Sequence, residues 1–256
     1  MDEVLVFDLS GPMAHFRKYY TNTSALSYGF PPRTVLMGIV AAVLGFERDS
    51  YYESLGGGRF AVAVKVPVRR LVQTVNYTRT KTEDLGVLRR LGAVPGTQVP
   101  LEFLLPRGAE LNLRFRVFFS HPDADLLREA ARRCEEQRPY YPLYLGLTEC
   151  LAQPAFVRLF GRGEYEPLAP GRTVLLTSVL NAALLEEVVL AANGRSSRLV
   201  RERAPYAFGP GRSLRPPVSV IYEADARPFA ARLRVPVYRF HLSTGDETET
   251  VAFLEG

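Results

Sequence analysis

Between Phe7 and Thr34 the chain gathers side chains that suit a nucleic-acid backbone. Arg17, Lys18 and Arg33 can neutralise phosphates, while Tyr19, Tyr20 and Tyr28 offer faces for base stacking. Thr21, Asn22, Thr23 and Ser24 can bond sugar hydroxyls and phosphate oxygens. A loop of this length inside a folded domain is more often functional than filler, and its bulky aromatics argue against disorder. The same stretch holds His15. A group of His15, Lys18 and Tyr28 could cut RNA without a metal, by activating a ribose 2′-OH and protonating the leaving 5′ oxygen. His121, before a proline at a helix start, and His241, in a β segment, read as structural.

Two further regions carry cations. The segment from Leu71 to Pro100 contains Asn76, Tyr77, Thr78, Arg79, Thr80 and Lys81, then Arg89 and Arg90. From Leu111 to Phe119 the residues alternate: Leu111, Leu113, Phe115, Val117 and Phe119 point one way, Asn112, Arg114, Arg116 and Phe118 the other. That second face is either an RNA platform or an ion-paired surface buried under the carboxy-terminal part of the chain. Arg198, Arg201, Arg203, Arg212 and Arg215 form another basic run, interrupted by Glu202, and read first as a solvated charge cluster.

Other chemistries find no footing. Gly209-Pro210-Gly211-Arg212-Ser213 lacks the length and lysine of a phosphate-binding loop. Glu135-Glu136 and Glu186-Glu187 are adjacent pairs that face different ways and make poor dyads. Cys134 and Cys150 have no metal-site spacing and read as buried, reduced thiols of a cytoplasmic protein. No cofactor or metal site is expected. The net charge is +5, and 29 of the 32 cationic residues are arginine against three lysines, Lys18, Lys65 and Lys81. Arginine suits phosphate and base faces, yet a GC-rich genome produces the same bias, so charge informs only where cations cluster.

These residues need a scaffold. Glu3 to Leu9 reads as a strand, Thr34 to Leu44 as an apolar helix ended by Gly45, Arg59 to Val68 as a strand, Leu111 to Phe119 as a third, and Asp123 to Gln137 as a second helix stopped by Pro139. Gly38 would let the first helix approach a sheet closely, and that helix is too short to span a bilayer. A fourth strand is expected near Tyr144 to Leu151 or Val157 to Phe160. Strand, helix, strand, strand, helix, strand is the ferredoxin-like, RNA-recognition-type order. The fold class is therefore α+β: a domain over residues 1–168 with a long β-hairpin insertion at about 69–100, and a smaller β-rich carboxy-terminal lobe over 169–256. In that lobe Thr173 to Leu180, Val218 to Glu223, Arg232 to His241 and Glu247 to Phe253 read as strands.

The strand Phe7 to Ser10, the run Tyr28-Gly29-Phe30-Pro31-Pro32-Arg33 and the helix Val35 to Gly45 resemble the amino-terminal signature of the fifth CRISPR-associated (Cas) protein family, of the repeat-associated (RAMP) superfamily, closest to its type I-B branch. A second similar patch runs from Tyr140 to Cys150. The resemblance implies a non-catalytic subunit of a type I CRISPR surveillance (Cascade) complex, partnered by backbone and large subunits, that caps the 5′ handle of the guide RNA and meets target DNA indirectly. It also implies that the 69–100 hairpin is a thumb wedged near the start of the guide, with Tyr77, Arg79, Lys81, Arg89 and Arg90 on the RNA. A nuclease branch of the family carries a Lys-His pair after the third strand. Here Ser120-His121 stands there, which weakens the endoribonuclease alternative.

Overall fold

The computed structural model describes residues 2–22, 24–189, 197–242 and 247–256. Strand β1 (Val4–Gly11) is buried along nearly all its length. Strands β2 (Phe16–Arg17) and β3 (Ser27–Tyr28) pair in a short ladder, so the expected loop carries some structure of its own. Helix α1 (Arg33–Leu44) begins after Pro32 and ends at Gly45, whose φ of 87° and N–H bond to the Ala41 carbonyl complete a left-handed cap. Strand β4 (Arg59–Val64) follows, then β5 (Val68–Thr78), helix α2 (Thr82–Arg89) and β6 (Gly96–Pro106). Next come β7 (Leu113–Ser120), helix α3 (Ala124–Glu135), β8 (Leu143–Tyr144) and β9 (Leu151–Phe160). Asp123 caps α3 by accepting from the N–H groups of Asp125 and Leu126.

The main sheet has the order β4-β7-β1-β9-β8, with every neighbouring pair antiparallel. Its alternation sorts the side chains into two layers. Leu5, Phe7, Leu9, Phe60, Val62, Phe115, Val117 and Phe119 join α1 and α3 in one core. Val4, Val6, Ala61, Phe118 and Phe160 turn the other way, into a second core with Phe240, Val251 and Phe253. Gly38 makes room for a side chain and not for the sheet, because a β-carbon there would stand 3.2 Å from the Tyr51 hydroxyl.

The carboxy-terminal strands are β10 (Glu166–Leu168), β11 (Thr173–Leu176), β12 (Leu180–Asn181), β13 (Leu185–Val188), β14 (Leu199–Ala204), β15 (Val218–Glu223), β16 (Phe229–Leu233), β17 (Val237–His241) and β18 (Thr248–Val251). They form three-stranded sheets ordered β10-β17-β18, β11-β16-β13 and β12-β15-β14. The expected strand Arg232 to His241 is two strands, broken where Pro236 cannot donate to a ladder. Ser178 and Val179 of this part lie along the outer edge of β4, and Leu254 bonds the Phe60 carbonyl, so that edge is covered.

β5 and β6 pair over eleven positions, from Val68 with Pro106 to Thr78 with Gly96, and α2 sits at the tip of this hairpin. Most residues from Arg69 to Pro100 are exposed. No helix among the described residues is long and apolar enough to cross a membrane.

Candidate nucleic-acid interface

The loop after β1 is fastened to the root of the hairpin. Ala14 and Leu104 exchange backbone hydrogen bonds at 3.0 and 2.8 Å, Ala25 donates to the Pro100 carbonyl, and Glu102 N–H donates back to Ala25. His15 places Nδ1 2.8 Å from the Glu102 carbonyl. The Glu102 carboxylate accepts from the Ser27 N–H and pairs closely with Arg70, whose guanidinium also donates to the Ser27 carbonyl. A third segment, β14, joins them: Lys18 pairs with Glu202 at 2.9 Å, and the Tyr28 hydroxyl donates to the Arg203 carbonyl at 2.7 Å.

This junction leaves a cleft of about 460 Å³ between the loop and β14, lined by Lys18, Tyr19, Tyr20, Arg201, Glu202 and Arg203. Tyr19 and Tyr20 pack edge to face at 5.1 Å and remain 40% and 50% exposed. Arg17, Asn22, Arg201 and Arg203 are exposed around them, and among the described residues neither Arg201 nor Arg203 has a carboxylate partner. Such a set of free cations and open aromatic faces is equipped to grip phosphates and stack bases. Further out, Tyr77, Lys81, Arg89 and Arg90 are exposed on the hairpin, whereas Arg79 is held by Asp84 in a two-pronged ion pair at 2.8 and 2.9 Å. Thr23 lies outside the described residues.

Three of the expected contact residues are built into the interior. Tyr28 is fully buried and shows no face to solvent; burial, with Tyr20, Tyr19 and Glu202 nearby, raises its pKa above the ordinary phenol value. Arg33 is 4% exposed, donates to the Tyr206, Gly56 and Gly58 carbonyls and pairs closely with Glu255, lying over the rings of Tyr206 and Phe60. It staples helix α1 to the surrounding loops. Arg116 is 5% exposed and bonded to Asp8 at 2.8 and 3.0 Å and to Glu247 at 2.8 Å, with Phe118 packed on Phe240 beside it. The open-platform reading therefore fails at Arg116 and Phe118, because the carboxy-terminal strands supply both apolar cover and countercharge. Arg114, two residues earlier in β7, stays exposed.

The cleavage group is likewise engaged. His15 is 2% exposed, and its pKa is lowered chiefly by burial, so its neutral form is favoured. Its Nε2 is enclosed without a partner among the described residues, Lys18 is committed to Glu202, and Tyr28 to a backbone carbonyl. His121 sets Nε2 2.8 Å from the Ser54 carbonyl and accepts from the Asp123 N–H, a helix-start role. Among the described residues no group of three or more His, Cys, Asp or Glu side chains is placed to hold a metal ion.

Arg201 and Arg203 belong to the cleft although the sequence favours a solvated cluster for them. The legible signal was the strand alternation Val200-Arg201-Glu202-Arg203, which sets two cations on one side of β14.

A family model described as CRISPR-associated protein (Cas_Cas5) matches residues 4–191. A solved chain described as a CRISPR RNA-guided surveillance complex aligns with a TM-score of 0.50 and 19% identity, over 91% of this chain and 91% of that one. The crystal structure of a CRISPR protein from Archaeoglobus fulgidus aligns with a TM-score of 0.55 and 14% identity, over 97% of this chain and 98% of that one. Likeness at these identities shows a shared fold. No curated protein sequence matches the chain.

Proposed function

The chain belongs to the CRISPR-associated protein (Cas_Cas5) family, and from that premise we propose that it is a non-catalytic subunit of a type I CRISPR surveillance complex that binds and caps the 5′ handle of the guide RNA. The observation that carries this reading is the cleft at the hairpin root, where Tyr19, Tyr20, Arg201 and Arg203 converge, exposed, from two distant parts of the chain. We read the β4-β7-β1-β9 order with α1 and α3 on one face as ferredoxin-like, with the hairpin as its thumb. In that arrangement the cleft holds RNA backbone and bases at the foot of the thumb, and Tyr77, Lys81, Arg89 and Arg90 meet RNA further along. The protein holds shape and backbone while base pairing to the target supplies sequence. The backbone and large subunits are its protein partners and the cytoplasm its compartment.

The non-catalytic reading is supported by the burial of His15 and Tyr28 and the pairing of Lys18, since a general base must reach the hydroxyl it activates. The test incubates purified protein with end-labelled CRISPR repeat RNA in EDTA and runs native and denaturing gels. Intact RNA with a retained band that requires the 5′ handle is expected. A discrete metal-independent cut abolished by His15→Ala would make the protein the processing nuclease instead.

A further inference from the structure

Glu202 is the anomalous member of the cleft. Its side chain is nine-tenths buried, and Oε1 holds Lys18 at 2.9 Å. Oε2 is enclosed and has no hydrogen-bond partner among the described residues. The nearest further cation, Arg70, stands 3.9 Å from Oε1, beyond hydrogen-bond reach. A buried acceptor left without a donor is costly and rare in folded proteins. This one lines a cleft whose other walls are stacking faces and free cations. A carboxylate repels phosphate, so the group it awaits is an N–H donor on a flat ring.

We propose that Glu202 is a base-reading residue, accepting hydrogen bonds from the Watson–Crick edge of an unpaired guanine. In this arrangement Tyr19 or Tyr20 stacks on the base and Arg201 and Arg203 hold the flanking phosphates. The inference rests on the RNA-binding reading above. Guanine is selected by its chemistry: its N1–H and N2–H₂ present two adjacent donors to a carboxylate, which keeps spare lone pairs even with Lys18 on Oε1. Adenine and cytosine set an acceptor beside their amino group, and uracil flanks its single N–H with two carbonyls; each turns a lone pair towards the carboxylate. The base reaches Oε2 as one of the two exposed tyrosines swings aside and the other stacks on it.

The experiment measures binding of oligouridylate strands carrying one central guanine, inosine, adenine or cytosine by fluorescence anisotropy. Wild type is expected to bind the guanine strand about tenfold more tightly than the adenine, cytosine and all-uridine strands. Inosine, which lacks the 2-amino group, should fall between. Glu202→Gln should erase the guanine preference, so that the variant binds the guanine strand no more tightly than its own all-uridine strand. Equal wild-type affinity for all strands would overturn the proposal, with no variant needed, and leave Glu202 as an anchor for Lys18. A guanine preference that survives in Glu202→Gln would overturn it as well. Failure to bind these strands and repeat RNA alike would overturn the RNA-binding reading itself, and this inference with it.

Discussion

The two basic regions of this protein use the same residue for opposite ends. Under the carboxy-terminal strands, Arg116 and Lys65 face Asp8, Glu247 and Glu249, and every cation there is matched by carboxylates. Beside the loop, Arg17, Arg201 and Arg203 face solvent without carboxylate partners among the described residues. Arginine count cannot separate the two, but the placement of acidic residues does. A cation whose acid lies across a buried interface is structural, and one without an acid is available to an external anion.

The sharpest break of that contrast is Arg116→Ala. It strands Asp8 in the interior, leaves Glu247 and Glu249 to Lys65 alone, and should cost about 3–5 kcal/mol of stability by chemical denaturation. RNA affinity per folded molecule should stay unchanged; a selective loss of RNA binding in a stable variant would move Arg116 to the other class. Next in size, replacing Arg17, Arg201 and Arg203 together by alanine should lower the slope of log affinity against log salt by about two for single-stranded RNA. Stability should shift by only about 0.5 kcal/mol per site or less. An unchanged slope would place the phosphates elsewhere.

The smallest effect is a pH dependence confined to the buried network. Burial alone would raise the pKa of Glu247, but the bonds and charges of Lys65 and Arg116 outweigh it and hold the carboxyl below its ordinary value of 4.5. A lowered folded pKa gives stability that is complete above the ordinary value and is lost as pH falls through the lowered one. Urea midpoints measured between pH 5.5 and 3 should therefore drop more steeply for wild type than for Glu247→Gln. Parallel curves would show that Glu247 contributes nothing to this linkage.

Local chemistry made much of the scaffold legible. The helix Arg33–Leu44 with its Gly45 cap, a helix starting near Asp123 and the alternation of β7 were all visible in residue type and spacing. What spacing could not show was which face a distant segment would cover. Arg116 and Arg114 sit two apart on one strand and look equivalent, yet Glu247 and Glu249, more than a hundred residues later, bury one and spare the other. Tyr28 was likewise misplaced because its partner, the Arg203 carbonyl, is 175 residues away. The cleft pairs a loop that announces itself with a strand that does not, and Arg201 and Arg203 gain meaning only once β14 lies beside Tyr19 and Tyr20.

The hairpin imposes a further consequence. Beyond its root, where Ala14 and Ala25 bond β6, it is a ribbon of two strands whose outer edges are unpaired among the described residues. Such ribbons are marginal in water on their own. Its amides from Asn76 to Val99 should therefore exchange with solvent through openings that leave β1 and β7 intact, which gives the molecule two thermodynamic clocks. Whatever clasps the ribbon slows the faster clock alone, so the protection of those few amides records occupancy without any label on the partner.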